Sequence, residues 1–184
     1  MEPIERLKEG NRHYLAHGND ARRMETAING QHPYAVVICC SDSRVIPEQI
    51  FGADVGDLFV IRVAGNVLDR HQLGSIEYAL SHLGCRLVVL LGHTNCGAVA
   101  AALNGCSDGY ISFITDEIRK AIGMERDPLT ACRLNVTHGA ERIRRALKSD
   151  LMLSDVEVVG AVYDIRTGLV EWLPENEPAD RRTI

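Results

Sequence analysis

Apolar residues occur along this chain in short unbroken runs separated by longer mixed stretches. Ala35-Val36-Val37-Ile38-Cys39 follows Pro33 as a continuous, largely β-branched run, which predicts a strand buried on both faces. Leu58 to Val63, Leu87 to Leu91 and Val156 to Tyr163 predict three further strands. The mixed stretches between them have helical character: one helix from about Leu73 to Leu83, another starting near Gly97, and two more across about 109–151. Asp164 to Gly168 is rich in turn-forming residues and leads into Leu169-Val170-Glu171-Trp172, so the chain should close on a strand pair. At the amino end, Ile4, Leu7, Tyr14 and Leu15 recur among polar residues between Pro3 and Ala16, predicting a helix that packs one stripe against something else.

This alternation predicts an α/β fold: a mainly parallel central sheet flanked by helices, with an N-terminal helical arm and a C-terminal strand pair. We expect a single domain over 1–184, comprising the arm (1–30), an α/β core (31–173) and a loosely ordered polar tail (174–184). In such sheets ligands sit beyond the carboxyl ends of the strands. Both Cys40 and His93 fall there.

Composition narrows the function. A hydrophobic fraction of 46% and a charged fraction of 24% are ordinary for a globular chain. The net charge of −5 argues against nucleic acid or an anionic membrane as partner, since both need excess Lys and Arg. One basic stretch, Arg142, Arg144, Arg145 and Lys148, interleaves with Ile143, Ala146 and Leu147, as on an amphipathic helix with a solvated face. No apolar run approaches the roughly 18 residues of a membrane span, and the first residues lack the basic-then-apolar order of a secretory signal, so a cytoplasmic location is expected. In that compartment the six cysteines would remain thiols, leaving metal binding, catalysis or burial to explain them.

The strongest local feature is His93-Thr94-Asn95-Cys96, flanked by Gly92 and Gly97 directly after a predicted strand. A thiolate and an imidazole together favour zinc and disfavour magnesium or calcium, which prefer oxygen. Taken alone, that pair is explained better by burial than by metal. The picture changes with Cys40-Ser41-Asp42-Ser43-Arg44, which adds a thiolate, a carboxylate and a guanidinium at the end of another predicted strand. Three soft ligands, Cys40, His93 and Cys96, can then converge on one Zn2+ per chain.

These two blocks, extended to Cys40-Ser41-Asp42-Ser43-Arg44-Val45 and Gly92-His93-Thr94-Asn95-Cys96-Gly97-Ala98-Val99, resemble the signature segments of the β-class carbonic anhydrases. The resemblance runs from Gly10-Asn11-Arg12 through Gly56 to Arg62 and Gly74 to Ala79, and on to Tyr163-Asp164 and Gly168. Two positions depart from the family habit: Val63 follows Arg62, and Cys39 replaces the small residue before the first ligand. Register makes Cys40 the ligand.

The resemblance implies reversible hydration of carbon dioxide to bicarbonate by a zinc lyase. A three-residue zinc site keeps a fourth position for water, whose pKa falls to about 7. Asp42 and Arg44 would be catalytic, the guanidinium keeping the carboxylate ionised and oriented. Gln31, Phe59, Tyr78 and Gly97 match substrate-binding positions, and the resembled family builds each pocket from two chains, implying a homodimer or homotetramer. Cys39, Cys85, Cys106 and Cys132 match no ligand position and read as structural. His13, His17, His32, His71, His82 and His138 lack a partner motif. An inhibitory bicarbonate pocket found in some bacterial relatives should be missing, because Val37 and Cys39 replace its Trp and Gly; an open site, with Asp42 paired to Arg44, is expected. Two other functions fit the same ligands: hydrolysis of carbonyl sulfide or carbon disulfide, and a non-catalytic zinc-stabilised structural or sensing protein closed by Asp42.

Overall fold

The unbroken apolar runs form the centre of one sheet. In a computed structural model describing residues 1–18, 20–148, 153 and 155–174, β1 (Ala35–Cys39) is buried along its whole length. It lies between β2 (Leu58–Arg62) and β3 (Leu87–His93), parallel to both. Next to β3 comes β4 (Glu157–Tyr163), also parallel, and β5 (Val170–Trp172) closes the sheet antiparallel to β4, giving the order β2-β1-β3-β4-β5. The mainly parallel sheet and the C-terminal strand pair are as expected.

Side-chain alternation sends the two halves of β1 and β3 to opposite faces. Val36, Ile38, Val88 and Leu90 pack with α4 (Arg70–His82) and α7 (Pro128–Leu147). Val37, Cys39, Val89 and Leu91 pack on the other face with Val45 and the short α3 (Pro47–Phe51). A third cluster, beyond the strand ends, gathers Cys40 and Cys96 with α5 (Gly97–Leu103) and α6 (Ile111–Ile122).

α7 lies tight against the sheet because glycines leave room for it. A Cβ on Gly92 would stand 2.5 Å from Val136 Cγ2 and 3.1 Å from Cys132 Sγ, and one on Gly160 would stand 2.9 Å from Val136 Cγ1. β3 also extends two residues past the predicted end, because Gly92 and His93 stay paired with Val162 and Tyr163. That extension carries His93 to the rim of the sheet.

Several details differ from the sequence expectation for identifiable reasons. α4 starts at Arg70 because Asp69 accepts from the amides of His71 and Gln72 while Gln72 accepts from the Asp69 amide, a capping box. The basic stretch is more than a solvated face: Arg142 donates to Leu68 O and Glu117, and Arg144 to Val158 O. The predicted helical stretch beyond Lys148 and all but Pro174 of the predicted tail lie outside the described residues. The arm is two helices, α1 (Pro3–His17) and α2 (Asp20–Asn29). Arg22 ties α2 to the core through Asp57 (2.6 Å) and Val55 O (3.0 Å), whereas α1 buries no residue at all.

Candidate metal centre

Cys40 is the first residue beyond β1 and His93 the last of β3, so two neighbouring parallel strands deliver them to one place. Cys96 is brought back by a tight turn. Thr94 is fixed by its amide to Tyr163 O (2.9 Å) and by its hydroxyl accepting from the Ile165 amide (3.1 Å), and Asn95 adopts a left-handed φ of 56°. Asn tolerates that conformation better than most side chains. The ligand atoms of Cys40, His93 and Cys96 then lie within 4.8 Å of one another, all three residues buried.

The orientation of His93 makes this group fit a metal ion. Its Nδ1 lies 2.9 Å from Thr94 O, and because a carbonyl only accepts, Nδ1 carries the proton. Nε2 is therefore the atom with the free lone pair. It is fully buried and has no hydrogen-bond partner. An orphaned imidazole nitrogen facing two sulfurs is costly unless a cation occupies the space between them.

The two sulfurs behave as a coupled pair. Hydrogen bonding to Cys96 pulls the Cys40 thiol down despite its burial, and the Gly65 amide (3.3 Å) acts in the same direction. Cys96 is pushed up, first by sharing the proton with Cys40 and then by burial. Cys39, one residue earlier, faces the opposite side of the sheet, and desolvation pushes its thiol up to about 12. Of these two adjacent cysteines, only Cys40 belongs to the three-residue group that could hold a metal ion.

Asp42 and Arg44 stand at the mouth of the cluster. The Arg44 guanidinium donates to both carboxylate oxygens, Nε to Oδ1 at 2.9 Å and Nη2 to Oδ2 at 2.8 Å, and the Arg44 amide adds a third bond to Oδ1 at 3.0 Å. These bonds hold the Asp42 carboxyl well below the usual carboxylate range. Oδ2 lies 4.0 Å from His93 Nε2, so Asp42 faces the donors without belonging to the three-atom group.

The carbonic anhydrase family profile matches residues 35–170, three-quarters of the chain. The chain belongs to the β-class carbonic anhydrase family. The carbonic anhydrase 2 of Mycobacterium tuberculosis (strain CDC 1551 / Oshkosh) is 43% identical over 180 residues, covering 88% of this chain and 87% of that protein. The β-carbonic anhydrase CafA of Aspergillus fumigatus superimposes with a TM-score of 0.82 at 28% identity, covering 96% of this chain and 93% of that one. One of two tetrameric β-carbonic anhydrases from Sordaria macrospora does so with a TM-score of 0.74 at 30% identity, covering 92% and 95%.

Within this carbonic anhydrase fold, the other expected site residues divide into two groups. Gly97 adjoins Cys96 as the first residue of α5 and faces open space. Phe59 and Tyr78 are neighbours, with ring centroids 6.2 Å apart, but Phe59 pairs with Val36 in the amino half of the sheet, three residues or about 10 Å before the end of β2. Gln31 is exposed and precedes β1 altogether. A single chain does not bring these three to the cluster.

Three residues that hold the backbone around the donors had no site role in the sequence reading, Cys132 being read there only as structural. Arg62 donates to Asp42 O (2.7 Å) and Cys40 O (3.4 Å), holding the loop that presents both side chains. Cys132 donates to His93 O (3.2 Å), and Asn135 donates to Gly65 O (2.9 Å). For Asn135 a signal exists: it interrupts the apolar stripe of α7, between Cys132, Val136 and Gly139.

Proposed function

We propose that this chain is a zinc-dependent enzyme that interconverts carbon dioxide and bicarbonate. The observation that carries the proposal is the buried, unpartnered His93 Nε2 facing the two sulfurs of Cys40 and Cys96. Two thiolates and an imidazole are a zinc donor set, and three protein ligands leave a position for chemistry. When bound, zinc supplies Lewis acidity that brings a water within reach of ionisation near neutral pH.

The chain's own residues do the rest. Asp42 is ionised and acceptor-only, so a water or hydroxide beside the donors points its proton at Asp42 and a lone pair toward substrate. Arg44 fixes the plane of that carboxylate by its bidentate grip. Arg62 holds the Cys40–Asp42 backbone, and Gly97 leaves space beside Cys96 for a small substrate. Val37 offers no indole donor to an inhibitory anion, and the Asp42–Arg44 pair supports reading the open arrangement as the resting one.

A homodimer, or a tetramer built from it, completes the proposal. Ile4, Leu7, Tyr14 and Leu15 of α1 are 57%, 71%, 45% and 53% exposed, an apolar stripe that the described residues leave open to solvent apart from Arg23 over the Tyr14 ring. Docked on a second copy, the arm would accompany Gln31, Phe59 and Tyr78 into the partner's pocket. All six cysteines are free thiols, which supports a cytoplasmic location, and no helix among the described residues is long and apolar enough to cross a membrane.

Stopped-flow hydration of carbon dioxide across pH 6 to 9, with carbonyl sulfide and carbon disulfide offered in parallel, tests this reading. We expect acceleration over the spontaneous rate in proportion to zinc-loaded protein. Zinc at about one per chain without acceleration would favour the structural or sensing role, and preferential turnover of a sulfur substrate would favour the hydrolase.

A further inference from the structure

Two residues one helical turn apart on α7 bond to the backbone of His93 and of Gly65, the latter a neighbour of Cys40. Cys132 donates to the carbonyl of His93, and Asn135 donates to the carbonyl of Gly65. Positions i and i+3 share a helix face, so both bonds are made by the same stretch of α7. Gly65 in turn points its amide at Cys40 Sγ from 3.3 Å, a normal length for a sulfur acceptor.

We infer that the Gly65 amide is a hydrogen-bond donor to the Cys40 thiolate ligand and that Asn135 is the residue that positions it; the inference rests on the metal reading above. The backbone at Gly65 is suited to this and to little else. Its φ is 69° and ψ 14°, a left-handed conformation that glycine adopts freely. A Cβ there would stand 2.8 Å from Ile118 Cδ1 and 3.0 Å from Ala98 Cβ, so the backbone packs against α5 and α6 more closely than a side chain permits. Asn66 follows with a second positive φ, 45°, its amide closing a turn onto Val63 O. A turn of this kind needs an anchor to hold one orientation.

Asn135 is 6% exposed and lies 70 residues further along the chain, in the apolar stripe of α7. An amide there destabilises the helix packing unless its hydrogen bonds are made, and the bond it makes is to the residue whose amide meets the sulfur. The chemical consequence concerns charge. Two thiolates on one cation donate strongly and weaken its Lewis acidity, and an amide donor on one sulfur draws part of that charge away.

The test uses the full-length chain loaded with ¹¹³Cd²⁺ and labelled with ¹⁵N. We expect a scalar coupling between cadmium and the Gly65 amide proton, transmitted through the N–H···S bond. Asn135→Leu, which keeps the shape and loses the donor, should reduce or abolish that coupling. It should also move the sulfur-to-cobalt charge-transfer band of the Co²⁺-loaded protein and weaken Co²⁺ binding about 10-fold or more. Ile143→Val, a buried truncation elsewhere on α7, should leave all three unchanged although it lowers the melting temperature. If Asn135→Leu does not fold, Asn135→Ser, whose hydroxyl is too short to reach Gly65 O, takes its place with the same expectations. Cadmium bound at one per chain without coupling at Gly65, or a band and affinity indifferent to Asn135, would overturn the inference. A wild-type chain that takes up no cadmium would overturn the metal reading and this inference with it.

Discussion

Asp42 holds one carboxylate between Arg44 and the three metal-site donors, and its ionisation is governed chiefly by the Arg44 bonds. Since its folded pKa is depressed, the stability it contributes is present in full above the unfolded carboxylate value of ~3.9 and drains away as pH falls below that towards the folded value. The stability gap between wild type and Asp42→Asn should therefore be constant at neutral pH and narrow below about pH 4, as read by chemical denaturation; a gap that widened on acidification would contradict the depressed carboxyl. At pH 7 the same variant should retain zinc while hydration falls about 10- to 100-fold, because the metal donors are untouched and the orienting acceptor is gone. Near-normal turnover would remove Asp42 from the mechanism. The donors themselves were legible because thiolate, imidazole and carboxylate side chains stand in two short segments at strand ends. Gly65 was not, since it contributes only its backbone, and Asn135 showed only as a polar break in the apolar stripe of α7, its partner lying 70 residues away in sequence.

Among the elements, the strands were legible because parallel strands covered on both faces are read as continuous apolar runs. α3 was not: five residues, Pro47–Phe51, are too few for a helical period to appear. The start of α4 was written in Asp69 and Gln72, a capping pair rather than a hydrophobic signal. The contact between α7 and β3 depends on Gly92, where a methyl group would overlap Val136. Gly92→Ala should destabilise the fold by about 1–3 kcal/mol and, by displacing the adjacent His93, weaken zinc binding. Thermal melts and chelator competition read the two effects, and an unchanged zinc affinity alongside a lowered melting temperature would show that α7 does not set the position of His93.

For the whole molecule, the fold class followed from the alternation of elements and the arm from the apolar stripe of Ile4, Leu7, Tyr14 and Leu15, while the proposed pocket roles of Gln31, Phe59 and Tyr78 came only from the family resemblance, these residues being remote from the cluster in their own chain. The proposal of two chains per site predicts a light-scattering mass of at least twice the 20.3 kDa chain. Leu7→Glu, on the uncovered stripe of α1, should lower that mass and the activity together while the core keeps its melting behaviour. A monomer with full activity at assay concentration would refute the shared pocket. The metal centre on which all of this rests is tested most directly by zinc analysis of the purified protein beside its Cys39→Ser and Cys40→Ser variants. We expect about one zinc per chain in wild type and in Cys39→Ser, whose thiol faces the far side of the sheet, and loss of most zinc in Cys40→Ser. Full zinc in Cys40→Ser, with loss in Cys39→Ser, would contradict the account.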